Sequence, residues 1–359
     1  MEIHQILVAA SPGDAITNAA LALRNLFRRI GNSDIYARHV HPSMATDVHQ
    51  LNHYTRRLTA RPQDDVLFYH AAIGEPEVCK FLHERSERLV LLYHNISPHE
   101  AFLDYDPAFA GMLEAGRREL EGLRNRTTLA MAVSEFNALD LEVMGYRRVR
   151  VAPLVVELDD LVATPPDPGV SHYLEQVITG PVVLFVGQLL PHKRPDAVIK
   201  AYHALTTYLR PDAHVILIGN PRLRRYFHAL QAFAQELNLP KLWLTGSVTR
   251  ERLVAFYRRA DVFLTLSEHE GFCVPLLEAM SFRVPIVARS CAAIPETVAD
   301  AALLLPKHDD SLLAAEVLSA VLEDTRCASD LTARGNERLK HYDPDRCRAM
   351  LLSHLESVL

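Results

Sequence analysis

Short hydrophobic runs alternate with longer amphipathic stretches along the whole chain, and this alternation predicts its elements. Such runs are typical of buried parallel strands, and the amphipathic stretches are typical of the helices that cover them. In the first half the pattern predicts strands at 3–9, 34–39, 65–70, 88–93 and 128–133. In the second half it predicts strands at 182–186, 214–218, 241–245, 261–266, 284–288 and 302–305. Because strands alternate with helices in both halves, we predict an α/β protein with two parallel sheets.

A change of composition separates the two halves. Residues 159–180 include Pro165, Pro166 and Pro168, which are typical of a linker. The 359 residues are also long for one hydrophobic core and suit two domains. We therefore predict Rossmann-like domains at 1–158 and 181–343, joined by a linker at 159–180.

Composition and charge exclude several classes of protein. With 49% hydrophobic and 23% charged residues the chain is an ordinary globular protein, and its net charge of −6 predicts no nucleic-acid partner. Its five cysteines are odd in number and form no Cys-x-x-Cys pair, so we expect reduced thiols in the cytoplasm. The N-terminus lacks a basic region, and no apolar run approaches the roughly 20 residues of a membrane span. Secretion and membrane insertion are not expected.

The stretch 267–280, which reads SEHEGFCVPLLEAM, carries the candidate chemistry. It follows the predicted strand 261–266, and Pro275 is expected at the start of a helix because proline tolerates the first helical position. The backbone amides from Gly271 to Val274 would then face an anion at the helix N-terminus. Glu270 and Glu278 would repel a bare phosphate but accept hydrogen bonds from hydroxyl groups. A nucleotide-sugar has both kinds of group.

Glu270 and Glu278, with seven residues between them, resemble the Glu-x7-Glu motif of retaining glycosyltransferases with the GT-B fold, specifically family four (group 1). The resemblance implies two Rossmann-like domains whose parallel sheets face across a cleft, with the last helix, about 344–359, crossing back onto the first domain. It implies that Glu278 binds ribose hydroxyls and that Glu270 lies at the donor sugar as a catalytic residue. It also implies that the intervening residues contact sugar and diphosphate: Gly271, Phe272, Cys273 and Val274.

A second segment of the family pattern follows the strand 182–186. The family has Gly-Arg and then Lys five residues after the Arg; here Gly187 and Lys193 match, but Gln188 replaces the Arg. We expect Lys193 to support the leaving diphosphate as a catalytic cation, and Arg194 is the candidate to replace the missing Arg. Further strand ends are expected to contact the nucleotide, and the family places the segment after 246 beside the base. The residues concerned are Gly219, Asn220, Gly246, Val248 and Leu253.

In the first half the resemblance rests on His94, which follows the strand 88–93 in the run YHNISP. Family members carry a His here, close to the donor sugar and the transfer site, so His94 is the third catalytic candidate. A loop over donor and acceptor is expected to contain Gly13 and Asp14, with Asn95 and Ser134 nearby, Ser134 also capping the helix that it precedes. Asp104-x-Asp106 is interpreted as a turn, so we expect neither a metal ion nor another cofactor.

The predicted function is retaining transfer of a hexose from a UDP- or GDP-sugar to a glycan or lipid-linked acceptor, in polysaccharide or glycoconjugate synthesis. The enzyme is expected in the cytoplasm, with a peripheral contact at the inner face of the membrane left open. Two alternatives stay open: a sugar phosphorylase or nucleotide-sugar epimerase of the same fold, and an inactive sugar-nucleotide-binding protein. The donor sugar, its base, the acceptor and the oligomeric state are not predicted.

Overall fold

The computed structural model describes residues 1–55, 64–308 and 310–359. The strands in these residues are β1 (Ile3–Ala10), β2 (Ile35–Val40), β3 (His49–Gln50), β4 (Val66–Ala71), β5 (Arg88–Tyr93), β6 (Thr127–Ala132), β7 (Val149–Val151), β8 (Val182–Val186), β9 (His214–Ile218), β10 (Leu242–Gly246), β11 (Val262–Thr265), β12 (Ile286–Arg289) and β13 (Ala302–Leu305). The helices are α1 (Ala15–Phe27), α2 (Pro76–His83), α3 (Pro107–Leu123), α4 (Glu135–Val143), α5 (Leu158–Ala163), α6 (Pro168–Val177), α7 (Pro195–Tyr208), α8 (Arg224–Glu236), α9 (Arg250–Arg259), α10 (Val274–Ser281), α11 (Ile294–Val298), α12 (Ser311–Glu323), α13 (Thr325–Leu339) and α14 (Pro344–Glu356).

The strands form two parallel sheets, as predicted. The first sheet has the order β3-β2-β1-β4-β5-β6-β7, and the second has the order β10-β9-β8-β11-β12-β13. In each sheet the chain order reverses beside the first strand, between β1 and β4 and between β8 and β11. Ligands of such sheets bind at this switch point, outside the carboxyl ends of the strands. The topology therefore selects two loops of the second sheet, after β8 and after β11, as the place to look for a site.

The described residues form two compact units. The first comprises Met1–Glu100, Pro107–Val156 and Tyr342–Leu359, and the second comprises Ala101–Asp106 and Glu157–His341. Helix α14 thus belongs to the first unit, where the family resemblance places the last helix. The Arg88 guanidinium on β5 donates to the carbonyls of Val358 and Leu359 at 2.7 and 2.8 Å, which anchors the end of the chain.

The range 159–180 differs from its prediction as a linker, because α5 and α6 occupy most of it and belong to the second unit. The Asp167 carboxylate caps α6 by accepting from the Val170 amide at 2.9 Å, and Pro168 occupies the first turn. Proline suits that position because its missing N–H would have no partner there. Here a proline-rich stretch starts a helix instead of linking two domains.

The short strands β3 and β7 are absent from the sequence prediction. They have two and three residues and lie at the two edges of the first sheet, where their side chains are exposed or half-buried. An edge strand needs no continuous hydrophobic run, so the pattern along the chain does not reveal it. The inner strands, in contrast, are buried and occur where the pattern predicts them.

The five cysteines, Cys79, Cys273, Cys291, Cys327 and Cys347, are free thiols. Within the part of the chain that the structure describes, no helix combines the length and the apolar character needed to cross a bilayer.

Candidate active site

Two of the three catalytic candidates meet at the switch point of the second sheet. Lys193 ends a short 3₁₀ turn after β8, and Glu270 lies in the loop after β11, the neighbouring strand. The Lys193 Nζ atom is 2.5 Å from Glu270 Oε2, and the exposed fractions of the two side chains are 22% and 5%. The sequence predicts both residues but not this ion pair, which joins segments 77 residues apart.

The electrostatics of the pair hold Lys193 in its charged form. Burial alone would lower the pKa of the Lys193 ammonium, but the Glu270 carboxylate reverses that effect and raises the pKa above 10.5. Burial raises the pKa of the Cys273 thiol well above 9.0, and Glu270 adds to this. Next to Lys193, burial lowers the pKa of His192 well below 6.5. Lys193 is therefore a permanent cation in the site, whereas the Cys273 thiol is protonated and is a poor nucleophile.

The loop between Glu270 and α10 has the geometry of an anion site. Cys273 precedes the helix with a left-handed φ of 71°, Val274 is its first residue and Pro275 its second, so the helix begins one residue before its predicted start. The loop is held through its carbonyl groups: Phe272 O accepts from the Thr297 hydroxyl at 2.7 Å, and Glu270 O accepts from the Ala293 amide at 3.2 Å. Pro275 has no N–H and the Leu276 amide donates to the Cys273 carbonyl at 3.0 Å, so an anion would bind to the loop amides before Pro275.

Glu278 lies half-buried in α10 and has a partner that the sequence does not reveal. Its Oε2 atom accepts from the Tyr257 hydroxyl of α9 at 2.7 Å, and the buried Tyr257 ring stacks on Phe282 with centroids 5.0 Å apart. Burial raises the pKa of Glu278 above 4.5, and the Tyr257 hydroxyl opposes part of that rise. Tyr257 thus fixes one carboxylate oxygen of Glu278.

Replacing Tyr257 by Phe is expected to raise the pH at which acid weakens nucleotide binding by half. Without the hydroxyl the pKa of Glu278 rises further, so the carboxylate takes up its proton at a higher pH and then accepts fewer hydrogen bonds from hydroxyl groups such as those expected of a ribose. Calorimetric titration of UDP or GDP across the acid range measures the pH at which affinity is halved.

The matched control is Tyr202→Phe, which removes another buried hydroxyl, one that donates to the Ala213 carbonyl at 3.0 Å. Protonation of the nucleotide itself is the same for every variant. A difference between variants in the curve of affinity against pH therefore reports a change at Glu278. Equal midpoints for Tyr257→Phe and the wild type would show that Glu278 does not bind the ribose.

Arg194 is engaged away from the Lys193–Glu270 pair. Its guanidinium donates to both carboxylate oxygens of Asp196 at 3.0 Å and pairs with Glu268 as well. The buried Arg289 at the end of β12 joins Glu268 at 3.4 Å. Gln188 is exposed. Arg194 therefore neutralises two carboxylates beside the site, which differs from the expectation that it replaces the family's missing arginine.

The glycines at the strand ends hold the protein backbone together. A Cβ atom on Gly219 would lie 1.7 Å from the carbonyl oxygen of Gly187, and the Gly187 amide donates to the Ile218 carbonyl at 2.9 Å. The Asn220 carbonyl, in turn, accepts from Leu189 at 3.2 Å. Gly219 is thus required for close packing of the ends of β8 and β9, whereas the sequence assigns it to the approach of a nucleotide. At Gly246 a φ of 70° explains the glycine.

Gly219→Ala is expected to lower the free energy of unfolding by about 3 to 5 kcal/mol, since a backbone clash cannot be relieved by a rotamer change. Gly246→Ala is the comparison: it has open space for a Cβ and pays only for left-handed backbone, about 1 to 2 kcal/mol. Denaturant unfolding of both variants gives the two values. A smaller loss for Gly219→Ala than for Gly246→Ala would contradict the packing role.

Val248 and Leu253, the residues expected beside the base, are half-buried at the start of α9. Thr249 caps this helix by accepting from the Arg252 amide at 3.4 Å. Because α9 follows β10 in a parallel sheet, both residues lie beyond the carboxyl end of that strand, at the same edge of the sheet as Lys193 and Glu270.

In the first unit, His94 follows β5 and contacts a second histidine. Its Nε2 atom lies 2.9 Å from Nδ1 of His70, a residue of β4. Burial lowers the pKa of His94 to about 3, so the imidazole is neutral. Asn95 has a left-handed φ of 91° and donates through Nδ2 to Asn137 Oδ1 at 2.7 Å.

Two of the predicted loop residues are helix caps. The Asp14 carboxylate accepts from the Thr17 amide and hydroxyl at 2.8 and 2.9 Å at the start of α1. The buried Ser134 hydroxyl accepts from the Asn137 amide at 3.2 Å at the start of α4, as predicted for a cap. Gly13 is exposed with a φ of 74°. The side chains of Asp14 and Ser134 are therefore occupied by local structure.

The family follows from a match over the second unit. Residues 175–338 match the family model described as glycosyl transferases group 1, and this span contains Lys193, Glu270 and Glu278. Over these residues the chain belongs to the group 1 glycosyltransferases. The topology of its two sheets agrees with the GT-B fold, which the resemblance implied.

Two relatives and one solved structure are also similar to this chain, and the first relative matches residues beyond the second unit. The O-antigen chain mannosyltransferase B of Escherichia coli is 26% identical over 280 residues, which cover 76% of this chain and 71% of that protein. The D-inositol 3-phosphate glycosyltransferase of Mycobacteroides abscessus is 34% identical over 132 residues, 35% of this chain and 29% of that protein. The solved structure of HepE from Anabaena with UDP-glucose has a TM-score of 0.76 at 17% identity, and covers 99% of this chain and 100% of HepE.

Proposed function

We propose that this glycosyltransferase transfers a hexose from a UDP- or GDP-sugar to a glycan or lipid-linked acceptor with retention of configuration. The observation that carries the proposal is the Lys193–Glu270 ion pair at the switch point, beside the N-terminus of α10. Glu278 lies a single turn further along the same helix. The segment from β11 to α10 combines an anion site with two carboxylates, and the neighbouring turn after β8 adds a cation. These groups fit those of a nucleotide-sugar.

Each group has a separate task in the proposed reaction. The ammonium of Lys193 has three N–H donors, so it can keep its bond to Glu270 and donate to a diphosphate oxygen as well. The backbone amides from Gly271 to Val274 and the Lys193 ammonium would then offset the charge that builds on the departing nucleotide. Glu278 would hold the ribose, and Glu270, fixed by Lys193, would accept from sugar hydroxyls. The chemistry is positioning and electrostatic support, and no protein nucleophile takes part.

The proposal needs no metal ion, because Lys193 is a permanent cation at the position of the leaving diphosphate. In a retaining transfer of this kind the acceptor hydroxyl attacks from the face that the nucleotide leaves. The role of His94 beside the transferred sugar rests on the family resemblance.

The names of the relatives support the substrate class. The Escherichia coli relative is a mannosyltransferase of O-antigen chains, which supports a hexose and a role in polysaccharide synthesis. HepE was solved with UDP-glucose, which supports a nucleotide-sugar donor. The proposed location is the cytoplasm, on the basis of five free thiols, with the inner membrane face as the place of a lipid-linked acceptor.

A thermal-shift panel of UDP, GDP, ADP and their sugars tests donor binding, since a ligand at one hundred times its dissociation constant stabilises by about 2.7 kcal/mol. The donor that stabilises most is then incubated with glycan and lipid-linked acceptors, and the anomeric configuration of the product is determined by NMR. A product of retained configuration supports the proposal. An inverted product, phosphate-dependent release of sugar phosphate, interconversion of the donor alone, or no reaction with any donor would overturn it.

A further inference from the structure

Three hydrogen bonds link His94 to the interior of the first unit. His94 Nε2 lies 2.9 Å from His70 Nδ1, His70 Nε2 lies 2.9 Å from Gln5 Oε1, and Gln5 Nε2 donates to the Ala20 carbonyl at 2.9 Å. Gln5 is on β1 and His70 is on β4, the two strands that flank the switch point of the first sheet. Both side chains are buried.

The direction of each hydrogen bond follows from the Ala20 carbonyl, which ends the series of bonds that begins at His94. A backbone carbonyl only accepts, so the Gln5 NH₂ group must face Ala20, and the Gln5 oxygen must face His70. His70 Nε2 therefore carries a hydrogen. A neutral imidazole has one protonated nitrogen, so His70 Nδ1 accepts, and the hydrogen between the two histidines belongs to His94 Nε2.

The ring geometry supports this assignment. The two imidazole centroids are 5.1 Å apart with planes only 19° from parallel, while the facing nitrogens are 2.9 Å apart. The two rings thus meet edge to edge in nearly one plane, which directs the lone pair of one nitrogen along the N–H bond of the other. Burial lowers the pKa of both histidines, which keeps each ring neutral with a single proton.

We propose that Gln5 and His70 are positioning residues that hold His94 in the tautomer protonated on Nε2, so that Nδ1 presents a lone pair to a hydroxyl group of a bound sugar. Within residues 1–55, 64–308 and 310–359, His94 Nδ1 has no hydrogen-bond partner. A lone pair selects a hydroxyl donor and rejects the oxygens of a diphosphate, which only accept. The inference deepens the proposed glycosyl transfer and rests on it for the identity of the ligand.

The tautomer is measured directly by ¹H–¹⁵N correlation of histidine side chains in the intact, ¹⁵N-labelled protein, where His94→Asn identifies the signals that belong to His94. We expect unprotonated Nδ1 and protonated Nε2 at neutral pH. The isosteric variant Gln5→Met removes the group that accepts from His70 Nε2. The hydrogen between His70 and His94 can then lie on either residue, so we expect the His94 signals to move toward a mixture of tautomers.

Leu7→Met is the matched control, because Leu7 is buried on the same strand and this change conserves volume. It should leave the His94 signals and turnover unchanged. For Gln5→Met we expect kcat to fall about fivefold to tenfold, the loss of one neutral hydrogen bond, with unchanged affinity for UDP or GDP.

A wild-type His94 protonated on Nδ1, or doubly protonated at neutral pH, would overturn the proposal. So would unaltered His94 signals in folded Gln5→Met. The wild-type spectrum decides the tautomer even if Gln5→Met fails to fold, and it requires no substrate. Failure of the tautomer assignment is thereby distinguishable from failure of the proposed transfer reaction, which the product assay reports separately.

Discussion

Lys193→Met is expected to lower kcat about 100- to 1,000-fold, the loss found when one preorganised donor to a developing negative charge is removed. Methionine keeps the hydrocarbon stem and removes only the ammonium. Two effects contribute: the departing diphosphate loses its cation, and the buried Glu270 carboxylate loses the partner that holds it at 2.5 Å. Steady-state kinetics with the donor found in the binding panel measures the change.

The double variant Lys193→Met with Glu270→Gln separates these effects, because it leaves no unpaired carboxylate. We expect it to regain stability against unfolding and to stay slow. Lys340→Met is the control, since Lys340 is 71% exposed and pairs only at the surface with Glu337. Turnover within a few-fold of wild type for Lys193→Met would refute the role of Lys193 in leaving-group departure.

Glu278→Gln is expected to weaken binding of UDP or GDP about 10- to 100-fold. Hydrogen bonds to a charged group contribute about 1.5 to 3 kcal/mol, and each 1.4 kcal/mol changes a dissociation constant tenfold. The amide keeps the shape of the side chain, so α10 and the Tyr257 contact have little reason to move. Isothermal titration calorimetry with the nucleoside diphosphate measures the loss without requiring an acceptor.

Glu337→Gln provides the matched control, because its carboxylate is 72% exposed on α13. It should bind the nucleotide as the wild type does. If Glu278→Gln also retained full affinity, the assignment of the Glu-x7-Glu motif to ribose binding would be wrong for this chain.

Much of this picture is predictable from local pattern. The inner strands of both sheets are hydrophobic runs. In the loop after β11 and the helix that follows it, Gly271, Pro275 and the two glutamates indicate a ligand site. Each of these signals depends on residues that are neighbours in the sequence. The parallel sheets and the candidates Lys193, Glu270 and Glu278 could therefore be predicted.

What the sequence did not reveal depends on partners that are distant along the chain. Arg194 has the right charge beside Lys193, yet Asp196 and Glu268 bind its guanidinium. Tyr257 fits the hydrophobic pattern of α9 and shows its role only through the contact with Glu278. His70 is the penultimate residue of β4, which lies next to the strand that precedes His94, and this signal could have suggested their pairing.

Proline and small polar residues are ambiguous signals in this sequence. Pro168 and Asp167 form the start of α6, although their composition indicated a linker. Asp14 was expected in the donor and acceptor loop, and its carboxylate caps α1. Such residues serve turns, caps and ligand loops alike, and only the hydrogen bond that each makes distinguishes these roles.

A crystal structure of the protein with bound UDP or GDP tests the central claim most directly. We predict diphosphate oxygens within hydrogen-bond distance of Lys193 Nζ and of the backbone amides from Gly271 to Val274, with the ribose hydroxyls on Glu278. A nucleotide bound elsewhere, with Lys193 and Glu278 making no contact to it, would contradict the account.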